Sequence, residues 1–300
     1  MNRMDVMGIP LRPRPLVGWA PMVHRGCFGL FLLLLGWVWV RVWLPHPPDP
    51  EAHGPGGLWL LAATATILAG LCRQLPGQNV LLAAVIIGCV SGVVVTLGAT
   101  TGVPFGPIVY DQGMGPRLCA TLPWGAPLIW IVAVLCSRGV AQLMLRRWRD
   151  TRNYGLWLMA LTVGLVVLMD FGLEPFATQE GHLWHWNLTR IRIDWYTAPW
   201  VNFLGWAVTA LLILVFIMPA LINKRPGSLP PSDYYPLIVW VLINLLFATG
   251  AVVHQLWAAV VVVVVGCIVV TVSILFPKML KSSRQLILRQ RVSPRYGGGQ

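Results

Sequence analysis

Long apolar runs, separated by short polar connections, set the pattern of the chain. A spanning helix needs about 20 mostly apolar residues. Eight runs approach or meet that length: 26–44, 58–72, 79–99, 125–144, 155–172, 199–222, 235–253 and 255–276. The second is short, and the last two share a very tight connection around His254. The pattern therefore predicts an all-α polytopic protein of about eight transmembrane helices, or seven if the short run does not cross. Between the third and fourth runs lies a glycine- and proline-rich stretch, residues 100–124. Irregular backbone exposed to lipid leaves polar groups unsatisfied. That stretch must then lie at the interface or fold into a protein-lined cavity.

Composition supports the same class. Of 300 residues, 57% are hydrophobic and 11% charged, with a mean hydropathy of +0.70. Soluble domains carry about 25% charged residues, which excludes an ordinary cytosolic enzyme, and disordered chains are poor in apolar residues. The net charge of +12 is explained by where the charges fall. With the N-terminus inside, the expected cytoplasmic segments hold 17 of the 22 basic residues, the opposite face holds Arg117, Arg190 and Arg192, and Arg41 and Arg138 sit near helix ends. Basic residues favour the cytoplasmic side, so both termini are expected there, as in a multi-pass protein of a bacterial inner (plasma) membrane. No nucleic-acid partner is needed, and the basic tail suits anionic membrane lipid. The expected organisation is a basic arm (1–25), one transmembrane domain (26–277) whose first helix is an uncleaved signal anchor, and a basic tail (278–300). The six cysteines show no CxxC spacing and read as small core residues.

Acidic residues and histidines sort the other way. Seven of ten acids and five of six histidines fall on or near the non-cytoplasmic face. Asp170 follows a dozen apolar residues, and an acid at such depth is a functional hypothesis by default. Asp170 and Glu174 would share one helix face at i, i+4, although Pro175 biases Glu174 out of helical geometry. Alternatively Asp170 pairs with Arg190 or Arg192. In the Gly/Pro-rich stretch the titratable side chains are Tyr110, Asp111 and Arg117. Residues 181–200 hold four tryptophans and Tyr196, which suit an aromatic belt or the wall of an apolar ligand cavity formed by Trp184, Trp186 and Trp195. His182 and His185 with Glu174 would be half a metal site, but no second pair with ligand spacing exists.

These segments carry a family resemblance. Thr101-Gly102-x-Pro104-Phe105-Gly106, Tyr110, Gly115-Pro116, Pro127-Leu128-x-Trp130, Asp170, Glu174-Pro175, Trp184-x-Trp186 and Asn202-Phe203-x-Gly205-Trp206 occur in serial order between residues 95 and 210. In this the chain resembles the integral-membrane carotenoid biosynthesis proteins, which include carotenoid 1,2-hydratases and bisanhydrobacterioruberin hydratases. It departs from them at Val95, where the family usually carries Glu, at Glu174 in the usual Asp-Pro pair, and at Ile108 and Asp111 near Tyr110. The resemblance implies a carotenoid hydratase, a hydro-lyase acting on a lipid-soluble substrate and acting beside other carotenoid enzymes. Hydrating a terminal 1,2 double bond needs an acid near carbon, shelter for a tertiary cation and one water, and this account needs no metal and no organic cofactor. Asp170 is the first choice of acid, with Glu174, Tyr110 and Asp111 as further catalytic candidates. Trp184, Trp186, Trp206, Phe105 and Trp130 would hold the substrate, and Asn202 would orient the water. Three other readings stay open: a divergent family member acting on another isoprenoid, a non-catalytic isoprenoid- or carotenoid-binding scaffold, and a transporter. Against the transporter stand spans almost free of acids and the lack of an internal repeat.

Overall fold

The computed structural model describes residues 18–44, 57–118, 121–187, 194–221 and 233–292, with side chains of the last helix described as far as Phe276. Among the described residues eight α-helices run α1 Ala20–Trp43, α2 Leu58–Cys72, α3 Gly77–Thr101, α4 Gly125–Met144, α5 Tyr154–Pro175, α6 Trp200–Ile217, α7 Tyr235–Val253 and α8 Trp257–Val292. Seven of them are long and apolar enough to cross a membrane. The chain is an all-α polytopic membrane protein.

The helix α2, 15 residues long, spans about 22 Å at 1.5 Å per residue. It nevertheless runs from one end of the bundle to the other. Before its first turn Gly57 packs on Trp124, and beyond its last turn Arg73 pairs with Asp233 at 3.3 Å. Protein covers much of it, as the burial of Trp59, Ala63 and Ile67 shows, so its shortness does not bare polar backbone to lipid.

Hydropathy placed the helices well and their ends less well. The helix α1 starts at Ala20, with Pro21 in its first turn, where a fixed φ is pre-organised for helix. At the other extreme α8 continues past Phe276 to Val292, through the start of the expected tail. Apolar runs mark where a bilayer would end, which is not where a helix must end. The sixth helix stops at Ile217 rather than near residue 222.

At the centre lies α4, packed against α2, α3, α5 and α7. Its whole circumference from Trp130 to Cys136 is buried. The outer faces of α1, α3, α6 and α8 expose Leu33, Val93, Leu204 and Val261, as lipid-facing helices do when the solvent is itself apolar. Cys136 and Cys267 are core residues as expected, whereas Cys27 and Cys72 are partly exposed and Cys89 lies on the outer surface. Cys119 is outside the described residues.

The connections at one end fold into more than loops. Strand β1 (Ile108–Tyr110) pairs antiparallel with β2 (Trp184–Trp186), in register Ile108 with Trp186 and Tyr110 with Trp184. Two further strands, β3 (Asp194–Trp195) and β4 (Ala198–Pro199), pair just before α6. The Gly/Pro-rich stretch is thus a structured cap over the bundle. Phe105 is its anchor. Its ring sits between Gly98 of α3 and Gly205 of α6, where an added Cβ would come within 2.8 and 2.7 Å of ring carbons.

Candidate functional site

The polar centre is built at the C-terminal end of α5. Asp170 and Glu174 are one turn apart and both buried, so the helix does carry them on one face. The bias from Pro175 is overridden because the helix continues through it into a π-helical turn, Phe176–Glu180. Proline has no N–H for the carbonyl four residues back, which is that of Phe171. Trp195 Nε1 donates to that carbonyl at 3.0 Å instead. Trp195 therefore braces the outside of the helix and does not face the acids.

From α6, Asn202 bridges the two carboxylates. Its Nδ2 donates to Asp170 Oδ2 at 3.0 Å and to Glu174 Oε1 at 2.7 Å. Strand β2 supplies the rest. Successive strand residues point to opposite faces, so Trp184 and Trp186 both turn inward, and each Nε1 donates to Glu174 Oε2 at 3.1 Å. Glu174 thus accepts from three N–H donors. Asp170 accepts from Asn202, while its Oδ1 is buried without a partner among the described residues.

Beside Glu174 and Asn202 lies a small cavity of about 20 Å³, walled by Phe105, Tyr110, Trp130, Trp184 and Trp206. A water needs about 10–15 Å³ on this measure, so the space takes one. Trp130 and Trp206 stack at 4.1 Å between ring centres, and Tyr110 meets Trp184 edge-on at 6.1 Å. Burial, with the Glu174 carboxylate adding to it, pushes the Tyr110 phenol above its ordinary value, so Tyr110 stays a neutral O–H.

Seven of the ten residues singled out from sequence line this cavity. Asp170 stands behind Glu174, joined to the cavity through Asn202, and Trp186 touches it through Glu174. Asp111 is elsewhere. Its carboxylate meets His185 Nδ1 at 3.0 Å on the outer face of the ribbon, because His185 alternates with the inward tryptophans. His185 is therefore turned away from Glu174, and among the described residues no group of three or more His, Cys, Asp or Glu gathers as a metal site. Arg190 and Arg192 lie outside the described residues. Sequence reasoning did not foresee the apolar part of the wall, Ile108, Met114, Ala126 and Ile129, since nothing distinguishes such residues from ordinary core.

A family model described as carotenoid biosynthesis protein matches residues 56–272, well over half of the chain. The chain belongs to that family. It is also 28% identical over 174 residues to a bisanhydrobacterioruberin hydratase of Haloarcula japonica, a match covering 56% of each chain. The chain thus aligns with little more than half the length of that curated relative. No solved structure matches. Val95, where the resemblance leads to the expectation of a glutamate, is buried in the cavity wall. A glutamate at that place in α3 would put a further carboxyl at the same cavity.

Proposed function

We propose that this family member is a hydratase that adds water across the terminal 1,2 double bond of an acyclic carotenoid end. The observation that carries the reading is the Glu174–Asn202–Asp170 array beside an aromatic-walled cavity sized for water. A carboxyl in an apolar site can reach the reaction protonated. Of the two acids, Glu174 is the one with access to the cavity. In the proposed step Glu174 gives its proton to C2 of the alkene, and the π electrons form the new C–H bond. A tertiary cation remains at C1. The N–H groups of Asn202, Trp184 and Trp186 complement the carboxylate left behind, the arrangement in which fixed dipoles face charge as it develops. Entry of the carotenoid end has to widen the cavity, which by itself takes one water, and brings the cation against the aromatic faces of Trp130, Trp206 and Trp184, contacts worth about 0.5–2 kcal/mol each. Water bonds through oxygen to C1 and returns a proton to Glu174. One water is added and the acid is restored. Asp170, buried behind Asn202, holds that amide in place.

Val95 favours a second reading, in which a chain lacking the family's glutamate binds the carotenoid end without hydrating it. Expression in a bacterial host accumulating acyclic carotenoids, followed by pigment mass spectrometry, separates the two. Hydration predicts a gain of one water per modified end, abolished by Glu174→Gln. Unchanged pigment that co-purifies with membrane-inserted protein would replace hydration by binding. A gain that survives Glu174→Gln would overturn the role given to Glu174.

A further inference from the structure

A second cavity lies at the opposite end of the bundle, formed where the last turn of α2, the C-terminal half of α4 and the first turns of α5 and α7 meet. Its volume is about 390 Å³, within the roughly 300–1,000 Å³ of small-molecule sites. The inner wall is apolar, with Ile67, Leu135 and Val239. Its polar wall carries Arg138, Arg146 and Arg149.

Arg138 decides what this cavity wants. Sequence placed it near a helix end, but it sits two turns inside α4 with 5% exposure. One guanidinium nitrogen, Nη2, donates to the Leu221 carbonyl at 3.1 Å. Its Nε is buried without a partner among the described residues. A buried charge left without an opposite charge is costly. The acid in the cavity wall, Asp233, is already engaged by Arg73 at 3.3 Å, Gln74 at 3.1 Å and the backbone N–H of Tyr235 at 3.1 Å. Asp150, the acid of the α4–α5 connection, is exposed. Among the described residues, no carboxylate pairs with Arg138.

We propose that this cavity binds a phosphate oxyanion, and that the phosphate belongs to the head of an anionic membrane lipid. Arginine forks match phosphate oxygens with two parallel donors. The apolar inner wall, continuous with the helix interior, accepts the glycerol and upper acyl carbons that a free phosphate lacks. The site is remote from the acid cavity and does not depend on the reaction proposed there.

Full-length protein in detergent, followed by thermal unfolding on its tryptophan fluorescence, tests this. The probes are phosphatidylglycerol in mixed micelles and inorganic phosphate alone. Phosphatidylglycerol should raise the Tm saturably, with an affinity lowered about tenfold or more by loss of one charge-assisted bond in Arg138→Gln and in Arg149→Gln. Arg149 is exposed, so its variant folds even if Arg138→Gln does not. Arg117→Gln removes a charge at the other end and should keep the full shift. If inorganic phosphate alone gives the same shift, lost in the same variants, the oxyanion site stands and its lipid origin falls. Equal stabilisation of wild type and both cavity variants, equal loss in Arg117→Gln, or no shift at all would overturn the site.

Discussion

Glu174 and Asp170 are alike in sequence and differ in what they touch, and a substitution reads the difference. Glu174 borders the cavity and accepts three N–H donors, whereas Asp170 reaches it through Asn202. Positioned general acids contribute about 10²–10⁴-fold. Glu174→Gln should therefore remove hydration at that scale, while Asp170→Asn, which keeps an oxygen for Asn202, should slow it by about tenfold or less, a bond lost or weakened rather than the acid itself. Initial rates of pigment conversion in membranes of matched protein content check the order, and the reverse order would move the proton to Asp170. Tyr110 supplies the pH prediction. Its phenol is held above the ordinary value by burial, so above pH about 10 an unfolded chain loses that proton while the folded one keeps it. Stability falls as pH rises through that range, and Tyr110→Phe should flatten the fall in urea melts taken from pH 8 to 11. The paired acids were legible in the sequence because an acid inside an apolar run is expensive to keep there. Which of the two faces the cavity was not, since that depends on how α5 is rotated against α6. Asp111 was misplaced for a related reason: facing in or out is settled by strand alternation, and three-residue strands leave no periodic trace.

At the level of elements, the site depends on how the cap is pinned to the helices. Phe105 fits because Gly98 and Gly205 have no side chains. In Gly205→Ala the new Cβ would lie 2.7 Å from the Phe105 ring and 2.9 Å from the Pro104 carbonyl oxygen. The second is backbone and cannot swing aside. Overpacking of this kind costs about 1–3 kcal/mol, and the displaced Phe105 would deform the cavity wall. Gly205→Ala should lower the Tm and reduce hydration together. By contrast, Gly26→Ala within α1, where a Cβ meets nothing within 4 Å, should leave hydration unchanged and hold or raise the Tm, since alanine favours helix over glycine by about 0.5–1 kcal/mol. Melting and pigment assays on the two variants compare them directly. The helices themselves were readable from hydropathy, three of them to the residue, because an apolar solvent forces backbone bonding into continuous helices. The π-helical turn after Pro175 and the Trp195 brace on Phe171 were not readable. Both answer a single missing N–H, and their partner comes from a segment about twenty residues away.

Taken as a whole, the molecule has two chemically opposite ends: acids, histidines and tryptophans at the capped end, arginines at the other. That polarity has meaning only if the passes alternate, and α2 is where alternation is tested. Trp19, exposed ahead of α1, and Arg149, exposed after α4, are separated by four helices. If α2 crosses, as its contacts with Trp124 at one end and Asp233 at the other require, both residues lie on one membrane face. If it does not cross, they lie on opposite faces. His185, beyond one further helix and exposed on the ribbon, marks the face opposite Arg149 in either case. Single cysteines at these three positions, in a chain whose native cysteines are replaced, can be labelled in sealed vesicles with a maleimide that does not cross membranes. Trp19→Cys and Arg149→Cys should label together and His185→Cys from the other side. The basic set should label from the cytoplasmic face, since positive charge sets orientation. Labelling of Trp19→Cys with His185→Cys would remove α2 from the membrane and put the N-terminal arm on the capped side, where its arginines would oppose the charge rule. The same experiment thus fixes which face supplies water to the acid cavity and which leaflet presents its lipid heads to the arginines.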